Sequence, residues 1–178
     1  MILTGNEILK NVQEKKIIID PFNESQLNPN SYNFTLGNKL MVYNNYVLDA
    51  KKDNDVREIT IPESGITLAS GTVYLGSTRE VIGSDYFVPI IRGRSSIGRL
   101  GLFINITADL IDLGSISQLT LQLNAVQPVT IYPGMQIGQV TFWTPCGKIK
   151  KYEGRYSGSK GPVPSKMYLD FPQDEKSR

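Results

Sequence analysis

Gly93-Arg94-Ser95-Ser96-Ile97-Gly98-Arg99-Leu100-Gly101-Leu102 is a polar, glycine-punctuated segment between two short apolar runs, Val88-Pro89-Ile90-Ile91 and Leu102 to Ile106. Apolar runs this short, bounded by Gly and Pro, read as strands rather than helices. The segment itself carries two arginines, two adjacent hydroxyls and three glycines. Arginine forks match phosphate oxygens bidentately, hydroxyls donate or accept as a ligand requires, and glycines let backbone amides approach an anion closely. The segment therefore reads in two ways: a site for a polyphosphate beside a polar base, or a polar turn joining two strands.

Moving outward, the strand pattern repeats. Ile17-Ile18-Ile19, Ile59-Thr60-Ile61, Ile66-Thr67-Leu68, Val73-Tyr74-Leu75, Leu119 to Leu123, Val129-Thr130-Ile131 and Gln139 to Trp143 are further short apolar or alternating runs. Tyr32, Phe34 and Leu36, then Leu40 and Val42, alternate with polar residues around Gly37-Asn38, which predicts a hairpin there. Lys51 to Glu58 is expected to be a charged loop. Thr4-Gly5-Asn6-Glu7 has the spacing of a capping box, and Ile8, Leu9 and Val12 would share one face of a helix ending near Gln13. Many short strands with one N-terminal helix predict an all-β barrel or sandwich.

Composition narrows the function classes. The chain has 178 residues, 40% hydrophobic and 20% charged, which suits a single globular domain over 1–171 with a charged, frayed tail at 172–178. A net charge of +2 gives no basic surface for nucleic acid. No apolar run reaches the roughly 20 residues needed to span a bilayer, and the N-terminus does not read as a signal peptide. The single cysteine, Cys146, cannot form an internal disulfide, which fits a reducing, cytoplasmic setting. The chain has no histidine. With one cysteine and no histidine, neither a zinc nucleobase-deaminase site nor Ser-His-Asp or Cys-His catalysis can be assembled.

Further motifs stand in a fixed order around the arginine–serine segment. They are Leu27-Asn28-Pro29-Asn30-Ser31-Tyr32, Tyr74-Leu75-Gly76-Ser77-Thr78, Thr107-Ala108, Ile111-Asp112, Thr120-Leu121-Gln122, Ile131-Tyr132-Pro133-Gly134, Tyr152-Glu153-Gly154-Arg155-Tyr156 and Gly161-Pro162-Val163-Pro164-Ser165. In that order the chain resembles the dCTP deaminase family of the dCTP deaminase/dUTPase superfamily, from about Asn28 to Phe171. The resemblance implies a distorted jelly-roll or β-barrel of the dUTPase type, assembled as a homotrimer with sites at subunit interfaces. It also implies zinc-free hydrolytic deamination of dCTP to dUTP, with dUMP as a further product, and magnesium brought in by the triphosphate rather than held in a protein cage.

By the same resemblance, Ser95 and Arg99 would position water and base in catalysis. Arg94 would face the ligand and Ser96 the phosphates. Ala108 would bind substrate, Asp112 would face the deoxyribose, and Tyr152, Arg155, Tyr156 and Lys160 would belong to a segment closing over the triphosphate. The family's proton shuttle is a glutamate in a Thr-Leu-Glu strand, and this chain has Gln122 there. An amide has no useful proton affinity near neutral pH, so turnover is expected to be impaired.

Three explanations stand open: an introduced substitution that traps substrate, a natural homologue that lost or changed activity and binds deoxynucleotides as a regulator, or another carboxylate, such as Asp109 or Asp112, taking over. Other departures favour natural divergence. Arg92 stands where glutamate commonly precedes the arginine–serine segment. Asp112-Leu113-Gly114-Ser115-Ile116-Ser117 lacks the family's aromatic residue and second glycine. Ser157 and Ser159 replace the glutamines of the closing segment.

Overall fold

The computed structural model describes residues 1–172; the expected tail at 172–178 lies, but for Pro172, outside the described residues. In chain order the elements are α1 (Gly5–Gln13), β1 (Ile17–Asp20), β2 (Leu27–Asn28), β3 (Ser31–Thr35), β4 (Lys39–Tyr43), β5 (Val56–Thr60), β6 (Ile66–Leu68), β7 (Val73–Ser84), β8 (Val88–Gly93), α2 (Ser95–Gly98), β9 (Leu102–Phe103), β10 (Ser117–Ala125), β11 (Val129–Ile131) and β12 (Gln136–Trp143). One sheet runs β5-β4-β7-β10-β9, with β1 also on β7; a second runs β2-β3-β12-β8; β6 and β11 form a small pair. The ladders are antiparallel. The fold is all-β with a short N-terminal helix, as expected.

A single apolar cluster joins the two large sheets. Tyr32, Phe34, Val140 and Phe142 come from one, and Leu40, Ile82, Leu119, Leu121 and Leu123 from the other. Period-2 alternation is the cause: in β10, Ser117, Leu119, Leu121, Leu123 and Ala125 are buried while Gln118, Thr120, Gln122 and Asn124 point to the opposite face. The sheets approach so closely that a Cβ on Gly138 would lie 2.2 Å from the Phe34 ring, so only glycine fits there. Burial pushes the Tyr32 hydroxyl pKa up, and this oxygen accepts the Asn23 N–H at 3.1 Å.

Four local expectations are corrected. The Gly37-Asn38 segment is no hairpin turn: β3 pairs with β12 and β4 with β5 and β7, so the chain crosses between sheets here. Gly37 N–H donates to Ser77 O at 2.8 Å, and Leu36 bridges Thr78, which fixes the crossing. At α1 the Thr4 side chain makes no cap; the start is instead tied by Gly5 N–H to Pro29 O at 2.8 Å. The arginine–serine segment is a helical turn, and only Leu102–Phe103 of the following run is strand. The charged loop is shorter than expected, since Val56 already pairs with Tyr43.

Strand β7 is 12 residues long and holds the site's strand in place. Against β10 its register jumps: Gln118 faces Val81 but Thr120 faces Ser77, so four steps of β7 match two of β10. Such a bulge breaks the alternation and re-aims side chains. Here it turns Glu80 inward, 2% exposed, to accept from Thr35 N at 3.0 Å and Thr35 Oγ1 at 2.8 Å in the other sheet.

Candidate functional site

The outer face of β10 is covered by the chain's own C-terminal segment. The Gln118 N–H donates to Ser159 O at 3.0 Å. The Gln118 side chain bridges two elements, donating to Arg79 O at 2.9 Å and accepting from Gly161 N at 2.6 Å. Thr120 Oγ1 accepts from Val163 N at 3.1 Å, and the Tyr43 hydroxyl accepts from Ser165 N at 2.9 Å. These bonds lay residues 159–165 as a strap across the strand.

Beneath the strap lies a cavity of about 440 Å³, within the roughly 300–1,000 Å³ typical of small-molecule sites. Gln122 and Thr120 line its floor, Ala108, Leu110 and Ile111 one wall, and Tyr156, Val163 and Pro164 the other. Among the described residues, none of those lining it is Asp, Glu, Lys or Arg. The Gln122 side chain is oriented from behind, its Oε1 accepting the Ile106 N–H at 3.1 Å, and the Gln122 backbone N–H donates to Ile104 O at 2.9 Å.

Of the residues expected at the site, Gln122, Ala108 and Tyr156 meet in this cavity. Asp112 and Tyr152 line a neighbouring recess of about 370 Å³, and Leu110 borders both. Lys160 lines a more polar cavity of about 710 Å³ with Lys39, Glu63 and Arg79, and Gln118 forms the partition between that cavity and the one over β10. Ser95, Ser96 and Arg99 are exposed on α2, and the Arg94 guanidinium reaches Gln136 O at 3.4 Å. None of these four lines any of the three cavities.

Arg155 is turned toward the strap's far end, where it pairs with Asp170 and donates to Lys166 O; the Asp170 carboxylate raises the guanidinium pKa further. The Tyr156 hydroxyl accepts from Lys166 N at 2.8 Å, and the Lys166 ammonium sits 5.6 Å over its ring. Asp109 faces away in an ion pair with Arg92 at 3.4 Å. No group of three or more His, Cys, Asp or Glu gathers among the described residues to hold a metal, and no helix is long and apolar enough to cross a membrane.

Sequence reading did not anticipate the roles of Gln118, Thr120 and Tyr43. The alternation of β10 was the available signal, because it places residues 118, 120 and 122 on one face. Replacing Gln118 by alanine removes its side-chain bond to Gly161 in the strap and the bond to Arg79 in β7 that orients it, each contributing about 1 kcal/mol. Trypsin should then cleave at Arg155, Lys160 or Lys166 about tenfold faster or more, with the sheet core intact by circular dichroism. An unchanged cleavage rate would show that the strap is held by other bonds.

Three comparisons bear on this arrangement. The sequence profile of dCTP deaminase-like proteins matches residues 2–144. A protein of Hathewaya histolytica named "dCTP deaminase, dUMP-forming" is 49% identical over 172 residues, covering 96% of this chain and 99% of that one. A Cytophaga hutchinsonii protein of the same name is 46% identical with the same coverage. Among solved structures, the 2'-deoxycytidine 5'-triphosphate deaminase of Agrobacterium tumefaciens superposes with a TM-score of 0.65 at 20% identity, over 81% of this chain and 48% of that one. This chain spans about half of that protein's length, and at that identity the likeness speaks for the fold alone. The profile match over most of the chain, and relatives nearly half identical along their whole length, establish that the chain belongs to the dCTP deaminase-like family.

Proposed function

We propose that the chain binds a pyrimidine deoxynucleoside triphosphate in the cavity over β10 and hydrolyses dCTP to dUTP, and onward to dUMP as its relatives are named, at a rate depressed by Gln122. The observation that carries this reading is the position of Gln122. It stands on the cavity floor, at the place where the resemblance puts the family's glutamate, with its side chain held by Ile106 N–H.

Deamination requires water to add at C4, a proton to reach N3, and ammonia to leave with another proton. Gln122 holds the base edge but relays no proton. Asp112, in the adjoining recess, faces the sugar, and Tyr152, Tyr156 and Lys160 belong to the segment that closes over the triphosphate.

Arg94, Ser95, Ser96 and Arg99 complete the site in a homotrimer, reaching the cavity of a neighbouring copy. The exposed Leu100, Phe103, Ile106 and Val126 around α2 supply an apolar surface for that contact. Magnesium arrives on the triphosphate, no protein-bound zinc takes part, and the setting is cytoplasmic. A second reading, a deoxynucleotide-binding regulator without turnover, is favoured by one fact: among the described residues no carboxylate lines the cavity.

Incubating dCTP and magnesium with the protein, and following dUTP and dUMP chromatographically, tests the proposal. Slow product formation is expected. Unchanged dCTP in the presence of measurable dCTP binding moves the assignment to the regulator. Calorimetry showing no binding of dCTP, dUTP or dTTP sinks both readings.

A further inference from the structure

The orientation of the Gln122 amide is fixed by its partner. A backbone N–H only donates, so the atom 3.1 Å from Ile106 N is the side-chain oxygen. Flipping the amide would set two donors against each other and lose the bond. The Nε2 atom has no partner among the described residues, yet no buried side-chain nitrogen or oxygen is left without one. This NH₂ group is therefore reachable from the cavity that Gln122 lines. The other polar side chains of the floor are engaged differently: Gln118 is bonded at both ends, and Thr120 Oγ1 and the Tyr43 hydroxyl oxygen each already accept a strap N–H. Accordingly, the Gln122 NH₂ is a group on the floor that can only donate to a ligand, whereas the Thr120 and Tyr43 hydroxyls can donate or accept.

A pyrimidine nucleotide enters such a cavity with its sugar and phosphates at the mouth. Position 4 of the ring lies opposite N1, where the sugar is attached, so the substituent at position 4 meets the floor. Cytosine carries an amine there, a donor. Uracil and thymine carry a carbonyl, an acceptor. We infer that Gln122 sets the base preference of this chain, selecting pyrimidines with a carbonyl at position 4 over cytosine. The inference rests on the proposal that the base sits at Gln122. It gives the site a preference opposite to that of a glutamate at the same position, whose free oxygen would accept from the amine.

The test is calorimetric titration of the whole protein with the α,β-imido analogues of dUTP and dCTP, which bind without being hydrolysed at that bond. The native chain should bind the dUTP analogue about tenfold more tightly or more, the factor carried by one matched rather than opposed hydrogen bond. The ratio should fall toward or below one in Gln122→Glu. It should also collapse in Gln122→Met, which keeps the side-chain volume without the amide. Equal affinities, or a dCTP preference in the native chain, overturn the inference. So does a dUTP preference that survives both substitutions, since the residue would not be its source. If neither analogue binds to the native chain, it is the placement of the nucleotide over β10 that fails.

Discussion

Replacing Gln122 by glutamate is expected to raise dCTP deamination by about 10²–10⁴-fold, the usual contribution of a positioned general acid–base. The change is nearly isosteric. One carboxylate oxygen can keep the bond from Ile106 N–H, and the other then enters the cavity where the amide NH₂ stood. The walls there are largely apolar, with Ala108, Leu110, Ile111, Val163 and Pro164 among them. Desolvation disfavours a charged carboxylate, so the new group's pKa should move up toward neutrality, where a proton relay works best. The gain should therefore come with a pH limb in the rate profile that the native chain lacks. Measuring product from dCTP over a pH series checks both parts. If dCTP still binds but turnover does not rise, the remaining departures, Arg92 and Ser115 among them, are sufficient to silence the reaction, and the regulator reading gains.

How much of this was legible in the sequence depended on whether a feature is local. The strands at Leu119 to Leu123 and Val129 to Ile131 are found where alternation and β-branched residues put them, because burial on one face imposes a period of two. The Gly37-Asn38 segment failed for the complementary reason. Turn residues specify a change of direction, not the partner strand, and the partners here are Ser77 and Thr78, some 40 residues downstream. The start of α1 failed similarly: a Thr-x-x-Glu spacing is local, but the bond that fixes the helix start comes from Pro29.

Among the site residues, Gln122, Ala108 and Tyr156 converge within one chain, whereas the exposed Ser95, Ser96 and Arg99 and the half-buried Arg94 stay at α2, outside that cavity. Motif order places both sets in one family but carries no information on whether one copy or two must supply them. The inward turn of Glu80 was beyond sequence reading altogether. It depends on a bulge, and an Arg79-Glu80 pair in a strand reads as solvent-facing until the register jump is known.

Glu80→Ala is accordingly expected to cost about 2–4 kcal/mol of stability, the largest effect of any polar substitution considered. Its side chain takes the Thr35 N–H and hydroxyl together, joining β7 of one sheet to β3 of the other. Alanine would leave two buried donors without an acceptor and open a void between the sheets, and each effect alone is worth more than about 1 kcal/mol. Glutamine should lose less. Its single oxygen can still accept the Thr35 N–H, and its NH₂ can donate to the Thr35 hydroxyl oxygen. Urea unfolding at one fixed protein concentration separates the two variants, because self-association would otherwise shift apparent stability.

The consequences reach the cavity as well. Arg79, next to Glu80 in the bulge, supplies the carbonyl that holds the Gln118 amide, and Gln118 in turn holds the strap through Gly161. Loosening the bulge should therefore speed tryptic cleavage of the strap in Glu80→Ala, well below the denaturant concentration that unfolds the sheets. A variant within about 0.5 kcal/mol of the native chain, the range of ordinary surface substitutions, would mean that the Thr35 donors find other acceptors and that Glu80 is not the tie between the sheets.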